Sequence, residues 1–244
     1  MTLNEFLKNP VGSGDTSTNT KIISSTLNSK YYDLLKSGKK IKCRIYKDKY
    51  DYYYHLTIPS ETGRGNSYDV VIQFIGNKGL AGSTSSVKDY PIKLFSNSPA
   101  FAYTYANAYK KNDLLVDCLT KKFESQMVKK PAKVRNRYGI IGYDKYLYFG
   151  AKHIQESNLL SKEIANSLSV KFSRKLFVDN IRSIDKIMHE YSVAEKKNKS
   201  KNTFKEKNLS EPNSRKKVPG SVVNYVTGIN KHSNRITKRT GRKK

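Results

Sequence analysis

The stretch from Lys39 to Ile75 constrains the fold more than any other, because its residues are suited to β-structure and to little else. Ile41, Cys43 and Ile45 alternate with Lys42, Arg44 and Tyr46, a period-two spacing that sends apolar side chains to one face and basic or aromatic ones to the other. A second run, Tyr52 to Ile58, consists almost wholly of good strand formers. After a loop bearing Gly63, Arg64 and Gly65, a third run from Val70 to Ile75 is apolar on both faces, as suits a central strand. Together they predict a small antiparallel sheet, open or barrel-like, with one face rich in tyrosine and lysine.

Helical spacing dominates elsewhere. Ile22, Ile23, Leu27, Tyr31, Leu34 and Leu35 predict a helix that Ser37 and Gly38 stop. Ser98 followed by Pro99 is a helix start, with Phe101, Tyr105 and Ala108 on its buried stripe. A second helix, capped by Asp113, would bury Leu115, Cys118, Leu119 and Phe123. Three more are expected: one with Leu147, Ala151 and Ile154 inward, one with Leu160, Ile164, Leu168 and Phe172, and one with Ile181, Ile184, Ile187, Met188 and Tyr191. Val87 to Phe95 reads as a further strand, and Gly76 to Ser86 as a glycine-rich loop. That loop lacks the Gly-Lys-Ser/Thr ending of a nucleotide-binding loop; it reads as a mobile connection or a backbone contact to a phosphodiester. The fold class is therefore α+β, a sheet followed by packed helices and a basic disordered tail. The expected divisions are a flexible arm over 1–20, an α+β domain over 21–128, a basic linker over 129–142, a helical region over 143–194 and the tail over 195–244.

Charge restricts the partners. Lys and Arg number 47 against 20 Asp and Glu, for a formal net charge of +27, far beyond what solubility requires. The natural counterpart is a polyanion, nucleic acid before an acidic membrane surface. No apolar run is long enough to span a bilayer, and Met1 to Pro10 has no apolar core of the leader type. Residues 195–244 hold 16 cations against 3 acids, and Arg215, Lys216, Lys217, Arg235, Lys238, Arg239 and Arg242 are candidate phosphate contacts there. Within the chain, Lys129, Lys130, Lys133, Arg135 and Arg137 form a basic loop without an acid, and Tyr138 closes it as a stacking group. A solvated linker and a merely solubilising tail are the plainer alternatives. Tyr46, Tyr52 and Tyr54 are the stacking candidates on the sheet.

Catalytic groups are sparse. Asp113 and Asp117, one helical turn apart, suit either a metal-dependent nuclease or a helix start that favours acids. His55 lies in a strand, but sequence offers it no partner, so a hydrogen-bonded structural histidine is the simpler reading. No histidine stands at metal-ligand spacing, and Cys43 and Cys118 read as buried thiols. The expectation is a non-enzymatic protein with no metal or cofactor.

Phe95-Ser-Asn-Ser-Pro-Ala-Phe-Ala-Tyr-Thr-Tyr-Ala106 and Pro131-Ala-Lys-Val-Arg-Asn136, in a Lys-, Asn-, Tyr- and Ser-rich chain, resemble proteins of tailed bacteriophages with AT-rich genomes. The resemblance implies a phage context, in the host cytoplasm or the virion, and no mechanism. Two functions are thus expected. One is sequence-independent binding of nucleic acid, DNA first, through phosphate contacts. The other is a virion structural or assembly role, in which terminal arms tie subunits together or contact packaged DNA.

Overall fold

Strand formation follows the alternation closely. In the computed structural model, residues 1–8, 17–61, 67–127, 136, 139–190 and 192–193 are described, with side chains left aside over 17–24. Three strands, β1 (Lys42–Asp48), β2 (Asp51–Pro59) and β3 (Ser67–Phe74), pair antiparallel in the order of the chain. β4 (Ile92–Ser96) continues the sheet beyond β3, shorter than the Val87 to Phe95 run because Val87 and Tyr90 are taken up in turns. A fifth strand, β5 (Ser169–Lys171), joins β1 in parallel, so the order is β4-β3-β2-β1-β5. The sheet is therefore mixed rather than wholly antiparallel, and it is open rather than closed into a barrel.

Both faces are covered. Helix α2 (Ser17–Lys36) buries Leu27, Tyr31 and Leu34, and ends where Gly38 turns into the left-handed region at φ 75°. It packs with α7 (Lys145–Glu156) on the face formed by Tyr52, Tyr54, Leu56 and Ile58 of β2 and Tyr68, Val70, Ile72 and Phe74 of β3. Contact is closest at Gly150, where an added Cβ would lie 2.9 Å from Val70 Cγ1. The opposite face carries Tyr46, Tyr53, Val71 and Phe95. There Tyr53 stacks on Phe172 at 4.3 Å between centroids, Tyr46 meets Phe177 edge-on at 5.1 Å and Phe95 stacks on Phe123 at 4.9 Å. Phe123 belongs to α6 (Asp117–Phe123) and Phe177 to α9 (Arg174–Asn180).

The first eight residues are docked, not a free arm. Helix α1 (Leu3–Lys8) buries Leu3 and Phe6 completely, Phe6 lies 5.0 Å from the Tyr143 ring, and the Met1 carbonyl accepts from Ile92 N at 2.9 Å. Nor is 143–194 a separate region, since α7 covers the sheet and β5 extends it. The described residues form one compact unit. The expected linker loop, apart from Asn136 and residues 139–142, and the tail lie outside them.

Local capping is as the residue types demand. Ser98 caps α4 (Pro99–Thr104), accepting from Phe101 N at 3.1 Å, and its hydroxyl donates to the buried Asp144, which caps α7 by accepting from Leu147 N at 3.0 Å. One residue thereby fixes two helix starts. After α5 (Ala106–Lys111), α6 begins later than the Asp113 cap predicted: Leu94 N donates to the Leu114 carbonyl at 2.7 Å, which holds 114–115 extended beside β4, and Val116 takes the cap position. Helix α8 (Lys162–Leu168) and a helix over 184–190 complete the fold; Ile184 and Ile187 are buried as expected, while Leu168 is 56% and Met188 40% exposed.

Gly76 to Ser86 holds a short helix, α3 (Lys78–Ser83), rather than an irregular loop. Lys162 Nζ donates to the carbonyls of Leu80 and Ala81, each at 2.8 Å, and to that of Thr84. Those carbonyls are thus engaged by a cation, the opposite polarity from an anion cradle. Lys162→Ala should cost about 1–2 kcal/mol. It should also accelerate amide exchange over 78–84 before any other segment, which hydrogen-exchange mass spectrometry would read.

A candidate nucleic-acid interface

The register places three chemically useful rows on one face. Lys42 pairs with Thr57, Arg44 with His55 and Tyr46 with Tyr53, while Asp69 pairs with Thr57 from the other side. Because side chains repeat every two residues, Lys42, Arg44 and Tyr46 share a face with His55 and Thr57. Toward the edge strand this face is left partly uncovered. There Lys42, Arg44, Tyr46, His55 and Thr57, with Asn180 from the end of α9 and Cys43, line a cleft of about 330 Å³.

Behind the cleft lies a buried carboxylate. Asp69, 2% exposed, accepts from His55 Nε2 at 3.0 Å through Oδ1. Its Oδ2 accepts from Asn97 Nδ2 at 2.8 Å and from Arg182 N and Nε, both at 3.2 Å. Burial would raise the Asp69 pKa, but the bond from His55 and the guanidinium of Arg182 hold it below the usual carboxylate value. Asp69 therefore stays ionised and offers only lone pairs, so the shared proton sits on His55 Nε2. In the neutral ring Nδ1 then carries the lone pair, and among the described residues it has no partner.

The cations in the cleft are uncommitted. Lys42 and Arg44 are exposed, and among the described residues neither is paired with a carboxylate. Tyr46 is 6% exposed and its hydroxyl, buried, has no hydrogen-bond partner among the described residues. Lys42 and Arg44 thus bring two unpaired cations to this face, with the Asp69 carboxylate buried behind it. Cys43 adds no nucleophile, because burial pushes its thiol up to about 12; Cys118, likewise half-buried, is raised to about 11 by burial.

Of the sequence candidates, the three sheet tyrosines are corrected. Tyr46, Tyr52 and Tyr54 are 6%, 4% and 0% exposed, so none can stack on a base. They do not even share a face: Tyr52 and Tyr54 point away from Tyr46. With helices on both sides their rings became core, and their hydroxyls found internal partners where they could. Tyr54 donates to the Leu159 carbonyl at 2.6 Å and Tyr52 to Asn166 Oδ1 at 2.8 Å. Lys129, Lys130, Lys133, Arg135, Arg137, Tyr138, Arg215, Lys216, Lys217, Arg235, Lys238, Arg239 and Arg242 all lie outside the described residues.

Asp113 and Asp117 do converge, but on a lysine: Lys93 Nζ reaches them at 2.8 and 2.9 Å. Among the described residues no cluster of three or more His, Cys, Asp or Glu could hold a metal ion. No described helix is long and apolar enough to cross a membrane. A larger cleft of about 540 Å³ is lined by Ala106, Asn107, Lys110, Lys111, Thr120, Glu124 and Met127, but its Lys110 is already paired with Glu124.

Sequence reasoning missed the partner of His55, although a signal was present. Asp69 is a lone acid beside Tyr68, Val70, Val71 and Ile72, and an acid in an apolar strand requires a partner. No family model, curated protein or solved structure matches the chain.

Proposed function

We propose that this protein binds nucleic acid without sequence preference, taking the phosphate backbone as its ligand. The observation that supports this best is the placement of Lys42 and Arg44 on one face of β1, both exposed and unneutralised among the described residues. The formal net charge of +27 points the same way, because about half of it lies before residue 195 and would survive loss of the tail. Phosphate contacts of this kind position a nucleic acid without reading its bases. DNA and RNA backbones both meet the requirement.

A second reading, association with other protein subunits as in a virion, draws support from Leu168, Val170 and Leu176, which are 56%, 48% and 64% exposed around the short edge strand β5. One titration separates the two. Full-length protein and a 1–194 truncation are bound to labelled duplex and single-stranded DNA and RNA across a salt series. Full-length binding should weaken by about 10³-fold or more between 50 and 200 mM salt. The truncation should keep binding with a shallower slope, and Lys42→Gln with Arg44→Gln should lower its log–log slope by about 2. Binding that disappears wholly with the tail would leave the folded unit to protein contacts.

A further inference from the structure

We propose that the cleft cleaves RNA, with His55 taking the proton of a ribose 2′-hydroxyl. The inference rests on the nucleic-acid reading above and adds a reaction to it. Asp69 fixes the imidazole from behind: Nε2 donates to its Oδ1 at 3.0 Å, which sets both the tautomer and the ring plane and turns Nδ1 into an acceptor. Asn97 and Arg182 hold the carboxylate in turn, so the base is anchored from two further segments of the chain. Arg44 stands directly across from His55 and Lys42 one pair further along the same face. Base and cations thus line one cleft.

A histidine base beside two cations suits RNA, because RNA supplies its own nucleophile. The 2′-hydroxyl proton passes to His55 Nδ1 as O2′ bonds to phosphorus and the P–O5′ bond breaks. The O5′ leaving group takes a proton from the Lys42 ammonium. Products are a 2′,3′-cyclic phosphate and a 5′-hydroxyl; His55 then gives its proton to solvent and Lys42 regains one. Arg44 faces the non-bridging oxygens, where charge builds. Nothing is oxidised or reduced. DNA, without the 2′-hydroxyl, binds and stays intact.

The experiment uses full-length protein with three end-labelled single strands of one sequence: RNA, DNA, and RNA carrying 2′-O-methyl groups throughout. Only the first should shorten, to fragments ending in 2′,3′-cyclic phosphate, and binding of all three should be alike. His55→Gln, which keeps an amide for Asp69, should slow cleavage of RNA at least 100-fold when measured at saturating protein. Because His55 also supports the buried network, Lys42→Gln serves as a second, surface variant, expected to slow cleavage at least tenfold. Methylated RNA that is cut, His55→Gln protein that is folded and cleaves at the wild-type rate, or RNA that is bound and never cut each overturns the inference and leaves the binding reading standing. Failure to bind any of the three strands overturns both.

Discussion

Asp69→Ala is expected to destabilise the folded unit by about 3–5 kcal/mol at neutral pH, measured as a lower urea midpoint. The carboxylate is almost wholly buried, and its removal leaves His55 Nε2 and Arg182 Nε without their acceptor and takes one of the two acceptors of Asn97 Nδ2. Leaving buried donors unpaired costs more than the lost bonds themselves. Four segments lose a common anchor at once: β2 through His55, β3 through Asp69 itself, the turn before α4 through Asn97 and the segment after α9 through Arg182. Asp69→Asn should cost less, since the amide oxygen still accepts, although one acceptor becomes a donor facing donors. The pH dependence carries a definite sign. Asp69 has its native pKa held below the ordinary value, so its contribution is present above about pH 4, where the unfolded carboxyl ionises, and is lost as pH falls through the native value. The gap between wild type and Asp69→Ala should therefore narrow steadily below about pH 4. Asp144, which burial pushes upward, titrates with the opposite sign but is present in both proteins and cancels in the difference. A gap equally wide at pH 2.5 and pH 7 would mean that the ionised network contributes nothing to folding.

What sequence revealed and what it hid divide along one physical line. Local chemistry was legible. The alternation around Ile41 to Tyr46 produced β1, Ser98-Pro99 produced the start of α4, and Gly38 ended α2. Each depends on a few neighbouring residues, whose backbone preferences survive whatever packs above them. Contacts decided across the chain were not legible. Whether Tyr46, Tyr52 and Tyr54 face water depends on α7 and α9, which lie about 100 residues further on, and an aromatic strand residue is equally suited to core and to stacking. β5 is three residues long and joins β1 in parallel, too short to declare itself against its flanking helix. The candidate site falls between these cases. Lys42, Arg44 and His55 were visible as strand residues, and the pairing of Pro59 with Ser67 sets the register that brings Asp69 diagonally beside His55. Asn97, Asn180 and Arg182 arrive from loops and helix ends, where no periodicity marks them.

Phe149→Ala should lower the stability of the whole folded unit by about 3–5 kcal/mol, in one transition. Phe149 is fully buried on α7, 5.9 Å from the Tyr31 ring of α2, 6.2 Å from that of Tyr146 and 6.4 Å from that of Tyr148, so its removal opens a cavity that three aromatic neighbours cannot close by moving together. The adjacent Gly150 presses α7 backbone against Val70 and Ile58, which prevents the helix from sinking toward the sheet to fill the space. If the helices after residue 143 formed a domain of their own, the variant would split thermal unfolding into two steps and leave the sheet's melting temperature untouched. With α7 as the cover of β2 and β3, sheet and helices must lose structure together. The expected result is a single transition displaced downward by about 10 °C, given a unit of this size. Near-ultraviolet circular dichroism, which follows the buried tyrosines, should report the same midpoint as far-ultraviolet ellipticity, which follows the helices. Separate midpoints would restore the boundary that composition alone suggested. A shared one means that the sheet bearing the cleft and the helix covering its other face unfold as one unit.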